Sequence, residues 1–192
     1  LKRKSQAEVV KQLSDRELLL NVYASQGLFL LIAIIVGWFL FDKLDDFLIL
    51  WQFDFAQIWY YGVVPGIIIV VIDIILIQFL PKQYYDDGGI NERLFKSISI
   101  PHIFIIALVI AISEEVLFRG VIHTFAGLII ASLIFALIHF RYLNKMVLLV
   151  SVLLLSFVIG YMYELTHNLL VPITAHFIID FLLGVYYRLF MR

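Results

Sequence analysis

The stretch Pro101–Gly120, PHIFIIALVIAISEEVLFRG, decides how the whole chain is read. It opens with a proline, which a helix accepts at its start, and then runs apolar for about the length a helix needs to cross a bilayer, roughly 20 residues. Near its end sit Glu114, Glu115 and Arg119. Charge in an apolar span is costly, and an ionisable residue there marks a functional site by default.

The composition agrees with a membrane reading. Of 192 residues, 63% are hydrophobic and 15% are charged, and mean hydropathy is +1.01, whereas a soluble domain is nearer half apolar and a quarter charged. The net charge of −1 offers no basic surface to nucleic acid. The absence of cysteine removes disulfides and thiolate metal sites. The chain opens with Leu1 rather than Met, as expected of a trimmed chain or a piece of a longer one. Residues 1–20 are charged and lack a leading apolar core, so a signal peptide is not expected there.

Six spans are expected: Val22–Phe41, Trp59–Leu80 interrupted by Pro65-Gly66, Pro101–Phe118, one within Val121–Phe140, Met146–Tyr163 and Leu169–Leu189. The fold class is therefore an all-α polytopic transmembrane bundle. Residues 1–192 read as a single membrane domain, with a cytoplasmic segment at 1–20. A polar loop, Pro81–Ser99, turns at Asp87-Gly88-Gly89. Residues 43–61 are apolar enough to form an additional interfacial or re-entrant helix. Lys2, Arg3, Lys4, Lys11, Arg16, Lys82, Arg93, Lys96, Arg141, Lys145, Arg188 and Arg192 fall on one side of this arrangement, and only Lys43 and Arg119 on the other. That asymmetry places both termini in the cytoplasm.

Glu115 and Arg119 are four apart and can meet on one helix face. Glu114 points about 100° away and has no partner in its own helix, so it is the carboxylate free to act as a general base. His139 ends the apolar run FALIHF, and His176 and Asp180 share a face of the sixth span in AHFIID. Such a pair can bind a metal, orient one another or stabilise an oxyanion. Asp73 reads as a packing or hydrogen-bonding partner with a smaller claim to a substrate or proton role, and His123 as lining a site mouth. His102, His167 and the aromatics at span ends (Trp59, Tyr60, Tyr61, Tyr84, Tyr186, Tyr187) read as interfacial. A nucleophilic serine or cysteine route lacks its motifs, as does the HExxH zinc pattern.

EEVLFRG, FALIH and HFIID, in this order on three expected spans, resemble the Glu-Glu-x-x-x-Arg, Phe-x-x-x-His and His-x-x-x-Asn/Asp motifs of the CPBP family of CAAX proteases and bacteriocin-processing enzymes, also called the Abi family. The resemblance covers residues 101–183 and implies an intramembrane endopeptidase core there. It implies that Glu114 and His139 activate a water, that His176 and Asp180 stabilise the oxyanion or bind metal, and that Glu115, Arg119 and Phe135 support them. Glu114, His139 and His176 could hold zinc, or the same groups could work without metal. Asp180 stands where eukaryotic CAAX-processing members carry Asn. An ionised Asp cannot donate a hydrogen bond, so a bacterial peptidase acting on a membrane-embedded or membrane-associated protein, in the plasma membrane, is expected rather than a CAAX-processing enzyme.

Two other classes compete. A proton-coupled transporter component would use the same acids and histidines as a relay. A non-catalytic immunity or scaffold protein would only bind a partner in the membrane. One geometric tension accompanies the protease reading. Glu114 lies about 20 Å along its helix from the inner face and His176 roughly 10 Å below the outer face, levels that agree across a core of about 30 Å. His139, at the far end of the fourth span, does not share them unless that helix starts late, tilts or re-enters.

Overall fold

The computed structural model describes residues 12–142 and 145–191, Gln83 by its backbone alone. The expected N-terminal segment is therefore described only from Gln12, and Lys2, Arg3, Lys4, Lys11 and Arg192 lie outside the described residues. The helices are α1 (Asp15–Leu40), α2 (Leu44–Leu48), α3 (Phe55–Phe79), α4 (Lys82–Tyr85), α5 (Ile90–Ser97), α6 (Ile100–Glu115), α7 (Thr124–Ile138), α8 (Met146–Thr166) and α9 (Leu170–Phe190). Ser14 caps α1 in a reciprocal box with Glu17, which satisfies two of the free amides at the helix start.

A π-helical segment, Val116–His123, joins α6 to α7, and Ile100–Ile138 forms one run of 39 helical residues. It is not one rod. Gly127 adopts φ 82°, ψ 170°, a backbone region that is essentially glycine's alone, and the chain doubles back there. Arg119 and Phe135, sixteen residues apart, would be about 24 Å apart in a straight helix, yet the Arg119 guanidinium lies 5.0 Å from the centre of the Phe135 ring. This run thus supplies two passes, and with α1, α3, α8 and α9 the bundle has six.

The turn at Gly127 corrects the expected third and fourth spans. The third runs well past Phe118, and the fourth begins after Gly127 rather than near Val121 and ends at Ile138. The tension over His139 disappears as a result. Glu114 precedes Gly127 by thirteen residues and His139 follows it by twelve, so both sit about 18–20 Å from the turn. The late start of the fourth helix puts His139 at the level of Glu114.

Pro65-Gly66 does not interrupt the second span. The proline sits in the first turn of the α-helical part of α3, after a π-helical segment at Ile58–Val63, where its missing N–H costs least. Residues 43–61 do not cross. α2 is short, and the loop after it is tied to the start of α9 by a 2.7 Å bond from the Leu169 amide to the Leu50 carbonyl. Arg119 belongs to no loop: it is 1% exposed, inside the bundle.

At the other end, the basic segments meet one another. Arg93 pairs with Asp15 at 2.6 Å, Arg141 lies 3.7 Å from Asp87, and Arg188 donates to the carbonyls of Lys96 and Ile98. This basic end groups the start of α1, the Pro81–Ser99 loop, the turn after α7 and the end of α9, as the charge asymmetry required.

Small residues fix the position of α9. A Cβ on Gly62 would come within 3.0 Å of the Val171 carbonyl, and one on Gly66 within 3.2 Å of the Ala175 carbonyl. Such close backbone approach is how helices pack in lipid. It sets α3 against α9 in parallel, with His176 facing α6 across the bundle.

Candidate active site

Phe135 is the hub of the site. Its ring packs against Phe118 at 4.9 Å, His139 at 4.7 Å and His176 at 6.3 Å, centre to centre, and it lies under the Arg119 guanidinium. All three sequence motifs therefore converge on one side chain. Aromatic pairs favour offset or edge-on geometry, which the three T-shaped or tilted pairs follow, and a cation favours the ring face, where Arg119 lies.

The two adjacent glutamates have different surroundings. Glu115 is fully buried and faces two partners. Its Oε1 accepts from His176 Nδ1 at 2.7 Å, and its Oε2 lies 3.1 Å from Arg119 Nε. The arginine contact is an ion pair by distance without hydrogen-bond alignment, since Arg119 Nε and Nη1 and Glu115 Oε2 have no hydrogen-bond partner among the described residues. Arg119 Nη2 reaches across to α8 and donates to the Ser156 carbonyl at 3.0 Å and its hydroxyl at 3.1 Å. Thr124 Oγ1 donates to the Arg119 carbonyl at 3.0 Å, bonding to a carbonyl five residues back, as the wider π-helical turn allows.

Glu114, 6% exposed, makes no hydrogen bond to that network among the described residues. Its one hydrogen bond among the described residues is from Gln26 Nε2 to Oε1 at 3.2 Å. The Gln26 amide is itself oriented by Ser113, whose hydroxyl donates to Gln26 Oε1 at 2.9 Å. Gln26 comes from α1, where the sequence shows only a polar residue in an apolar run. Its helical position among apolar neighbours was the available signal, and sequence reasoning passed over it.

The histidines are oriented by acceptors. A carbonyl oxygen only accepts, so the 2.8 Å contact between His139 Nδ1 and the Phe135 carbonyl fixes the proton on Nδ1. In the neutral ring, Nε2 then carries the lone pair. Glu115 fixes the Nδ1 proton of His176 in the same way. His176 Nε2 lies 3.6 Å from Asp180 Oδ2, close enough for charge attraction and too long for a hydrogen bond. Glu114, Glu115 and Asp180 are all in electrostatic reach of His176, and His139 is in reach of both His176 and Asp180. The sequence expected the His176–Asp180 pair but missed the stronger partner, Glu115. Tyr142 stacks on His139 at 5.8 Å, held by a 2.7 Å bond from Arg141.

Other sequence candidates lie elsewhere. His123 pairs with Glu164 of α8 at 2.6 Å rather than lining the site. His102 meets Tyr23 at 3.0 Å. Asp73, expected to be a hydrogen-bonding partner, makes no hydrogen bond among the described residues.

A zinc centre would need three or four N or O donors at about 2.0–2.2 Å. Among the described residues no three His, Asp or Glu side chains are gathered to hold one; the Nδ1 contacts to Phe135 and Glu115 leave Nε2 of each histidine as the atom a metal would take. Glu114, His139 and His176 as placed do not fit the zinc ligand set that the sequence left open. What they do form is a carboxylate with one oxygen on Gln26 and two imidazoles, one held by the Phe135 carbonyl and the other by Glu115.

Residues 96–182 match the family described as Type II CAAX prenyl endopeptidase Rce1-like, a span that contains every residue of the site except Gln26. The chain is 48% identical over 156 residues to the uncharacterized protein YpbD of Bacillus subtilis (strain 168), covering 81% of this chain and 82% of that protein. No solved structure matches the chain.

Proposed function

The chain belongs to the Rce1-like family of type II CAAX prenyl endopeptidases, and on that premise we propose that it hydrolyses a peptide bond of a membrane-embedded or membrane-associated protein with a water activated by Glu114 and His139. The family and the apolar helices make it an integral membrane protein of protease type. The finer assignment rests on the division between the two glutamates. Glu115 is hydrogen-bonded to His176 and ion-paired with Arg119, whereas Glu114 has one oxygen on Gln26 and the other free to take a proton.

In this reading Glu114 removes a proton from water as the oxygen attacks the scissile carbonyl carbon, and His139 Nε2 accepts a hydrogen bond from the same water. The carbonyl becomes a tetrahedral oxyanion. His176, whose Nδ1 proton is held by Glu115, presents Nε2–H to that oxyanion in its protonated form. Aimed donors of this kind lower barriers most where water is excluded. Glu114 then returns its proton to the leaving amine as the C–N bond breaks. Asp180 balances the charge of His176, and Arg119 holds Glu115 in place. No step uses a metal. The bacterial plasma membrane, with the basic end in the cytoplasm, is the proposed setting, supported by the Bacillus relative and by the charge asymmetry.

The test is cleavage of membrane proteins by the purified chain in liposomes. Glu114→Gln and His139→Ala should each abolish it while the protein stays folded. Wild-type turnover by either variant would overturn the assignment, and pH-driven ion flux without cleavage would favour the transporter reading.

A further inference from the structure

Below the site, toward the basic end, α3 and α8 splay apart on either side of α9. They meet near mid-membrane, where Val70, Ile159 and Ile179 form a packed cluster, and separate beneath it. The gap is a cavity of about 370 Å³, within the range of small-ligand and peptide pockets. Its walls are mostly apolar, with Asp73 of α3 as the single carboxylate, Ser151 on α8, and Tyr142 and Tyr187 near the mouth. The sequence reading marked Asp73, and the proposed reaction does not use it.

Two features connect this cavity to the site. Tyr142, part of its wall, is the residue stacked on His139. On α9, His176, Asp180, Leu183 and Tyr187 fall at i, i+4, i+7 and i+11, one stripe of a helix face. The first two belong to the site, and the last two line the cavity. A chain lying along this stripe passes from the cavity to the catalytic groups.

Asp73 indicates what lies there. It has no hydrogen-bond or ion-pair partner among the described residues, and it opens into an apolar space. An intramembrane carboxylate pairs with a cation or a donor, or marks a substrate path. Acyl chains supply neither charge nor donor. The geometry points to the apolar segment of the protein substrate as the occupant, with a lysine or arginine of that segment pairing with Asp73. This rests on the endopeptidase reading and names its substrate class. The depth can be worked out. Gly62 and Gly66 of α3 sit beside Val171–Thr174 and Ala175–Ile178 of α9, so in parallel register Asp73 lies level with Leu183. That is about 10 Å below His176, or about three residues of extended chain. The selected basic residue stands about three residues from the scissile bond.

The experiment uses the full chain bearing Glu114→Gln, in phosphatidylcholine vesicles, binding a fluorescent Leu/Ala-rich spanning peptide with one Lys near the end that enters at the basic end. Its norleucine and Glu counterparts serve as controls. The Lys peptide should bind about tenfold tighter than the norleucine peptide, the ratio expected of one charged hydrogen bond. Adding Asp73→Asn should erase that advantage, Asp73→Lys should transfer it to the Glu peptide, and Ser151→Trp should weaken both Lys and norleucine peptides by filling the cavity. Equal binding of Lys and norleucine peptides, as expected if lipid fills the gap, overturns the proposal. So does a Lys advantage that survives Asp73→Asn, or one that vanishes when phosphatidylethanolamine is added as a competing amine. Because binding is read without cleavage, the two readings fail separately. Glu114-dependent cutting with Asp73-indifferent binding sinks only this inference, and Asp73-dependent binding with no cutting by the native chain sinks only the endopeptidase.

Discussion

Replacing Arg119 with methionine keeps an apolar stem of similar reach and removes the guanidinium. Three contacts go with it: the 3.1 Å approach to Glu115, the two bonds to Ser156 and the stacking over Phe135. The Ser156 bonds are interhelical and in lipid contribute about 0.6 kcal/mol each. The larger effect is on Glu115, which is 0% exposed and is left with His176 alone. Breaking a buried ion pair from one side costs about 3–5 kcal/mol, so Arg119→Met should destabilise the fold by about that amount. Reversible unfolding in mixed detergent–SDS micelles reads it directly. Adding Glu115→Gln removes the stranded charge, so the double variant should be more stable than the sum of the two single losses predicts. An Arg119→Met protein within about 1 kcal/mol of wild type, or strict additivity in the cycle, would refute the account of this network.

Other perturbations separate chemistry from stability. Glu114→Gln leaves an amide oxygen that still accepts from Gln26, so stability should change by less than about 1 kcal/mol in the same micelle titration while cleavage disappears. Gln26→Leu removes the one hydrogen bond to Glu114, an interaction of about 1.5–3 kcal/mol with a charged acceptor. Its turnover should fall roughly tenfold or more, with a displaced pH–rate profile and little change in KM. Gly127→Ala forces a side chain into a glycine-only backbone region at a cost of about 1–3 kcal/mol, seen as a lowered unfolding midpoint.

Much of this was legible in the sequence because charge inside apolar runs is rare. The three motifs picked out Glu114, Glu115, Arg119, Phe135, His139, His176 and Asp180; in the structure Arg119, His139 and His176 surround the Phe135 ring, and Glu114, Glu115 and Asp180 lie in electrostatic reach of His176. The Lys/Arg count grouped the segments whose arginines do meet at one end. What was hidden depended on chain direction and on neighbours. Gly127 sits among apolar residues, and nothing in composition distinguishes a glycine within a helix from one that reverses the chain, so the third and fourth spans were misplaced and His139 seemed out of level. Gln26 was hidden because its partner is 88 residues away. The engagement of Glu115 by His176 was hidden because the i, i+4 spacing of His176 and Asp180 offered a nearer candidate, and at 3.6 Å that nearer pair is the looser contact.

The most direct test of the central claim is oxygen-isotope labelling. Membranes from cells lacking this protein would be incubated in ¹⁸O water with the purified chain, and new carboxyl termini read by mass spectrometry. Hydrolysis by an activated water puts one ¹⁸O into each new carboxylate, whatever the substrate. The account predicts labelled termini from membrane proteins with the wild-type chain and none with Glu114→Gln. The same labelled termini from the Glu114→Gln protein would contradict it.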